Sequence, residues 1–397
     1  MPDWLEQQTR IVIYAAGGHT RDLLQHPGFR RLAILGIVDR DPGVCGKAID
    51  GIRVHSVDHL PELAPDLVIV SSPRAHERIV LDLAPSLKEW GMPFLDLYAG
   101  VKPYRLVQQR AKAQGMVLEE QASGTLRLTS PGSPNRVFIV KEEQWIYTQD
   151  LLSEFDYYFN SVFPDQETPL ESIIDISKPG FHKLRGDGIQ MWFPSLPEPE
   201  VTTVAYLDFA QIHPGDHVVD LGAYAGGSSY TFAQAVGTRG KVLAVEPDPL
   251  NYDALVRNVS HHGLSQVIPV RAAVWESNGE SLFQAEGSMG SSLSATLNRD
   301  YNLVSVPTLT LESLLDEHGF KELQFLKMDI EGAELKVIAQ AMPLLCRLRP
   351  RIVIEPHFLD GVLVTAQVRE VLEGGGYHTT LLDQGTEGYP LVGAWMD

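Results

Sequence analysis

The sequence predicts an α/β protein with two separate open sheets, the second of seven strands with one running against the rest. Short runs continuous in Val, Ile and Leu recur over residues 10–98 and again from 216 onward, as in parallel strands covered on both faces. Helical patterns separate most of these runs. The last two, Tyr377–Leu382 and Leu391–Trp395, follow each other with no helix between, which implies a hairpin and an antiparallel strand.

In chain order, the first sheet reads as strands Arg10–Tyr14, Ala33–Val38, Leu67–Val70 and Phe94–Leu97, with a short helix at Asp22–Gln25 and a long one at Ala75–Trp90. Residues 101–200 read as a linker region with partial structure: a helix at Tyr104–Gln114, a turn at Thr129–Pro134 and an aromatic stretch Trp145–Phe163. The proline-rich run Phe193–Pro199 reads as an extended connector. The second sheet follows as His217–Asp220, Lys241–Val245, Val267–Val270, Leu323–Met328, Arg351–Ile354 and the closing pair. Helices start at Ser228, Pro249, Ala333 and Thr365. The domains are thus 1–100, 101–200 and 201–397. No internal repeat relates the two sheets.

The 397 residues carry a formal net charge of −19, opposite to the basic footprint that nucleic-acid binding requires. From Val201 on, acidic groups are twice as numerous as basic ones. No basic stretch followed by an apolar run opens the chain, and no run approaches membrane-spanning length, so no membrane insertion and a cytoplasmic location are expected. Cys45 and Cys346 read as buried free thiols. No His/Asp/Glu set has metal-ligand spacing, so no metal is expected.

The chemistry-bearing pattern opens at Val218-Val-Asp-Leu-Gly-Ala-Tyr-Ala-Gly-Gly-Ser228. It puts Asp220 and then Gly222 and Gly226 at the carboxyl end of the first strand of the second sheet, where doubly wound sheets bind ligands. Glycine there lets the backbone approach a ligand that a Cβ would strike. About 26 residues after Asp220, Glu246 closes the next strand in Ala-Val-Glu-Pro-Asp248, the position from which a carboxylate takes both hydroxyls of a ribose.

These residues resemble the FkbM family of S-adenosylmethionine-dependent methyltransferases. The likeness runs through 218–223, Val-Glu-Pro-Asp-Pro-Leu-Asn at 245–251, Ala-Leu-Val-Arg-Asn-Val at 254–259 and Phe-Leu-Lys-Met-Asp-Ile-Glu-Gly-Ala-Glu at 325–334. It implies a seven-stranded class I methyltransferase sheet and S-adenosylmethionine as cofactor. Asp220, Gly222, Ala223 and Gly226 would hold its methionine part and Glu246 its ribose, while Asp248 and Ala272–Val274, Ala273 among them, would lie near the adenine; Tyr224 and Pro247 are further candidate cofactor contacts. Tyr224 departs from the family, which has asparagine there, so the hydrogen bond expected of that side chain must come from elsewhere.

Lys327, Asp329, Glu331 and Glu334 stand at and past the end of the fourth strand, the edge that faces the transferred methyl. Asp329 or Glu331 is suited to orient or deprotonate an acceptor hydroxyl. The alternative is that Glu331 and Glu334 favour a helix amino terminus by their charge. Glu355 and His357 close the fifth strand on the same edge. Between the third and fourth strands, Gly287–Leu293 forms a loop in which Ser291 and Ser292 are candidate substrate contacts.

In the first domain, Tyr14-Ala-Ala-Gly-Gly-His-Thr-Arg21 is a small-residue loop opening a helix, and Asp39 ends the second strand. With Gly46–Val54 and Asp66–Pro73, these pieces resemble the nucleotide-sugar-binding amino-terminal domain of PglD-type sugar acyltransferases. The likeness implies a second Rossmann-like domain in which Gly17, Gly18 and His19 cradle a phosphate or sugar and Asp39 meets a ribose or base. A vestigial docking or dimerisation domain is the competing reading. The expected activity is O-methylation of a sugar or other small hydroxylated acceptor in glycan or secondary-metabolite synthesis. N-methylation of an amino sugar and a non-catalytic scaffold of a glycan pathway are the alternatives. The expected partner is a small molecule, a sugar or nucleotide sugar, with homo-oligomerisation left open.

Overall fold

The computed structural model describes residues 9–29, 32–72, 76–97, 104–121, 124–141, 148, 151–186, 188–198, 201–285, 303–359, 362–383 and 390–397. Two compact units emerge, one reaching Val107 and one starting at Gln108.

The first unit holds strands β1 (Arg10–Tyr14), β2 (Ala33–Asp39), β3 (Ala48–Ile49), β4 (Ile52–Ser56), β5 (Leu67–Val70) and β6 (Phe94–Asp96). They form one sheet in the order β3-β4-β2-β1-β5-β6, parallel except where β3 meets β4. Val12 and Val68 pack to one side, and Ile11, Ile13 and Ile69 to the other, so both faces are covered. The first helix begins at Gly18, not Asp22, because the small residues of the loop already take helical geometry there.

The region read as a linker is a folded sheet. Strands β7 (Val117–Glu120), β8 (Thr125–Ser130), β9 (Ser133–Lys141), β10 (Gln166–Glu167) and β11 (Ser172–Asp175) pair in the order β10-β11-β9-β8-β7. The Thr129–Pro134 turn joins β8 to β9. On one face, Phe138 meets Phe155 and Phe159 edge-on, so the aromatic stretch adds to a core that also holds Leu126, Leu128 and Val140. The hairpin β12 (Gly180–Lys183) and β13 (Gln190–Phe193) follows, and after it Pro194–Pro197 is buried. That run is therefore packed interior and not an exposed connector.

The second large sheet is built from β14 (His217–Leu221), β15 (Lys241–Val245), β16 (Val267–Val270), β20 (Phe325–Met328), β21 (Arg351–Ile354), β24 (His378–Leu382) and β25 (Leu391–Trp395). Its order is β16-β15-β14-β20-β21-β25-β24, with β25 antiparallel to both neighbours. Side chains alternate: Val219, Leu221, Leu326, Met328, Ile352 and Ile354 enter one core, while Val218, Phe325 and Val353 enter the other with Phe232 and Tyr206. The order in which the chain adds strands to the sheet reverses between the parallel neighbours β14 and β20, which opens the crevice where such sheets take ligands. Between β16 and β20, β17 (Ala273–Val274), β18 (Gly279–Gln284) and β19 (Leu303–Leu309) form a small sheet, so the segment between the third and fourth strands is partly regular structure. The pair β22 (Phe358–Leu359) and β23 (Val362–Leu363) follows β21. Among the described residues no helix is long and apolar enough to cross a membrane. Cys45 and Cys346 are free, as expected, but half-buried, not enclosed.

Candidate active site

The site is organised by the register of β14 and β20, which pairs Asp220 with Lys327. Both point into a face that is otherwise apolar, and they are 0% and 1% exposed. Asp220 accepts hydrogen bonds from the Ser228 and Ser229 hydroxyls at 2.7 and 2.6 Å, which ties the strand end to the first turn of the helix Gly227–Val236. Lys327 Nζ donates to the Gly222 carbonyl at 2.7 Å and lies 3.5 Å from Asp220 and 3.4 Å from Asp329. Burial alone would lower its pKa, but Asp329, Asp220, Glu198 and Glu355 outweigh that and hold it above the usual lysine value.

Glycine at 222 answers to the chain itself. Its φ is +78°, and a Cβ there would stand 1.8 Å from the Asp329 carbonyl oxygen. At Gly226, φ +91°, the Cβ would meet only the end of the Leu255 side chain, at 2.7 Å. The backbone amides of Gly222 and Ala223 both donate to Val245, closing the turn over β15.

Glu246, 5% exposed, accepts from the amides of Tyr224 and Asp248, each at 2.9 Å. Burial pushes its carboxyl up to about 8 against those bonds. Asp248 caps the helix Pro249–His261 through the amides of Leu250 and Asn251, a structural duty for a carboxylate expected beside the adenine. Pro247 is half-buried, and Ala273 is buried where β17 meets β19.

Tyr224 shows why the family's asparagine suits this position: its φ is +48°, a left-handed conformation that asparagine tolerates and tyrosine rarely adopts. The ring is anchored instead. It lies against Phe193, and its hydroxyl donates to the Leu196 carbonyl at 2.8 Å and meets Ser195 at 3.3 Å. Through these contacts the buried proline-rich run holds the turn.

That run carries a residue sequence reasoning missed. Glu198 is half-covered as a residue, but its Oε2 is sealed from solvent without a hydrogen-bond partner, 3.5 Å from where a Gly227 Cβ would stand. Burial raises its pKa to about 8; Lys327 opposes the rise, while Asp329, Asp220 and Glu355 add to it. A lone acid between two prolines gives no spacing signal. Only folding brings it to the glycine turn.

At the far side of the crevice, Asp329, Glu331 and His357 gather from the ends of β20 and β21. His357 Nε2 lies 3.5 Å from an oxygen of each acid, and Nδ1 lies 2.7 Å from Glu334 Oε1. Glu334 is fully buried at the start of the helix Glu334–Leu348 and accepts from the Gly332 amide, so its helix-terminal role and its contact with His357 coexist. Burial pulls the imidazolium down, but Glu331, Glu334 and Asp329 push it up to about 10. Burial raises Glu331 to about 8, with His357 opposing and the neighbouring acids adding. Glu355 accepts from the Tyr206 hydroxyl at 3.1 Å, and burial, then Asp329, raises its pKa. The ligand atoms of Asp329, Glu331 and His357 all lie within 4.8 Å of one another, a metal-compatible group that sequence spacing did not reveal. Ser291 and Ser292 lie outside the described residues.

The model of the methyltransferase FkbM domain matches this chain from Asp220 to Thr379. Residues 220–379 are a methyltransferase FkbM domain. Its span takes in the glycine turn, Glu246, Lys327 and the acid–histidine group, and S-adenosylmethionine is its cofactor. No curated protein matches the sequence. Solved structures similar to this chain include a methyltransferase FkbM from Methylobacillus flagellatus, at 15% identity over 98% of this chain and 90% of that one, TM-score 0.37. Others are a precorrin-6y C5,15-methyltransferase from Geobacter metallireducens, at 16% identity over 50% and 89%, TM-score 0.33, and a fibrillarin from Aeropyrum pernix with natively bound S-adenosyl-L-methionine, at 11% over 71% and 99%, TM-score 0.33.

In the first unit, Gly17 and Gly18 face open space. His19 Nδ1 is 3.3 Å from the Ser71 hydroxyl, and the Asp39 carboxylate accepts from the amides of Ala16 and Asp41. Asp39 therefore shapes the loop that it was expected to serve as a ligand contact.

Proposed function

We propose that this protein transfers the methyl of S-adenosylmethionine to a hydroxyl of a small, sugar-like acceptor. The observation that carries this reading is the placement of Asp329, Glu331 and His357 at the sheet's switch point, across from the glycine turn and Glu246. The cofactor supplies a methyl on a cationic sulfur, and the chain's task is to hold nucleophile and methyl in line, worth roughly 7 to 11 kcal/mol in well-oriented systems. Asp329 and Glu331 receive the acceptor hydroxyl, and Glu246 takes the ribose hydroxyls. Glu198 meets the cofactor's ammonium, which answers its unpartnered oxygen. In the first unit, the open loop at Gly17 and Gly18 supports binding of the phosphate or sugar of an activated sugar.

Calorimetry with S-adenosylhomocysteine tests the core of the reading. The wild type binds, and Glu246→Ala binds about a hundredfold more weakly, since two hydrogen bonds to a charged group are lost. Failure of the wild type to bind overturns the reading, and labelled methyl transfer to sugar-nucleotide pools then identifies the acceptor.

The raised carboxyls set a pH dependence. A group at about 8 is protonated at pH 6 and must lose its proton to meet a cation, so affinity rises with pH up to about 8 and then levels. Glu246 adds to the slope because it must be ionised to accept from both ribose hydroxyls. Glu198→Gln is expected to release about one proton fewer per cofactor bound, measured by calorimetry in buffers of different ionisation enthalpy. Equal release in both proteins removes Glu198 from the cofactor site.

A further inference from the structure

We propose that Asp329, Glu331 and His357 bind one divalent cation that holds two adjacent oxygens of the acceptor, an inference that rests on the methyl-transfer reading above. The distances suit a single ion. Ligand atoms about 2.1 Å from an ion stand about 3.0 Å apart at a right angle and about 3.4 Å apart at the tetrahedral angle, and His357 Nε2 is 3.5 Å from both carboxylates. The imidazole is also set for the task. When an ion displaces the Nε2 proton, the ring keeps its Nδ1 proton donated to Glu334 and turns its Nε2 lone pair to the ion between the two acids, which is how a carboxylate behind a histidine orients a metal ligand.

Charge points the same way, independently of that geometry. The carboxyl groups of Asp220, Glu198, Glu334, Glu355, Asp329 and Glu331 surround the two cationic groups of Lys327 and His357, an excess of acidic groups that burial keeps partly protonated until a cation offsets it. Glu334, fully buried, has an Oε2 without a hydrogen-bond partner. The singly positive cofactor offsets only part of this excess. Asp329, Glu331 and His357 each keep some exposure, so an ion and an acceptor can enter from solvent.

Two carboxylates and an imidazole suit Mn²⁺, Fe²⁺ or Zn²⁺. Three protein ligands leave about three positions of a six-coordinate ion, enough for a bidentate acceptor and a water. The acceptor is thereby a vicinal diol or a hydroxyl beside a carbonyl. Coordination lowers the hydroxyl pKa, and its proton leaves to water at the open side. The oxygen pair then forms the C–O bond as the S–C bond breaks and sulfur keeps its electrons.

The test titrates Mn²⁺ into the EDTA-stripped full chain and reads electron spin echo modulation, with S-adenosylhomocysteine calorimetry run on the same stripped protein. The expected result is one held Mn²⁺ with imidazole nitrogen coupling. His357→Gln abolishes that coupling, and Glu334→Gln weakens binding about 10- to 100-fold. Cofactor binding without nitrogen-coupled Mn²⁺ overturns the cation site alone. Nitrogen-coupled Mn²⁺ without cofactor binding upholds the site and overturns the methyl-transfer reading.

Discussion

Gly222→Ala is expected to abolish cofactor binding and destabilise the second unit by more than about 4 kcal/mol, a loss reserved for substitutions with a specific steric or polar cause. The cause here is backbone against backbone: the new Cβ would lie 1.8 Å from the Asp329 carbonyl oxygen and 2.9 Å from its carbon. Neither side can give way easily. The Asp329 amide is bonded to Leu221, the Gly222 amide to Val245, and the Gly222 carbonyl to Lys327, so relief of the clash breaks a strand end, a turn or the buried ion group. The positive φ adds a further penalty for any residue with a Cβ. Gly18→Ala is the control, because nothing lies within 4 Å of its added carbon, and its effect is expected within about 0.5 kcal/mol. Thermal unfolding of the two variants decides the matter; a Gly222→Ala protein melting with the wild type removes the steric account.

Lys327→Met carries the second large effect. The substitution keeps an apolar stem of similar size but leaves Asp220 and Asp329 without their shared cation, and stranding a buried charge costs about 3 to 5 kcal/mol. For a unit of this size that lowers the melting temperature by roughly 5 to 8 °C. Adding Asp220→Asn to Lys327→Met should recover part of the loss, since one stranded charge is removed while Ser228 and Ser229 keep an acceptor. A double variant less stable than Lys327→Met by the full cost of Asp220→Asn alone would show that the two residues do not interact.

Much of this protein is legible in the sequence because its signals are local. Continuous apolar runs mark strands buried on both faces, as in β14, β15, β20 and β21 of the seven-stranded sheet that carries the site. A helix-free interval between the last two marks the reversed strand. The acid and glycines after the first of these strands, and Glu246 after the next, sit at the switch point because strand ends are where such sheets are open. Resemblance along 220–379 extends that reading to the cofactor.

Other features depend on contacts between distant segments, and no periodicity encodes those. Residues 101–200 look irregular because their short strands pair non-sequentially, β11 lying beside β9, and because part of the core comes from aromatics outside the strands. Gly222 reads as room for a ligand, yet its neighbour is the Asp329 carbonyl, 107 residues away in sequence. Asp220 and Asp248 read as ligand contacts, and their observed partners are serines, a lysine and helix amides. Glu198 and the Asp329–Glu331–His357 group emerge only when the chain is folded, since a carboxylate's surroundings, and with them its pKa and its capacity to meet a cation, are set by what packs around it. The sequence by itself determined the sheets and the strand ends where chemistry can occur; tertiary structure decided which charges share that space.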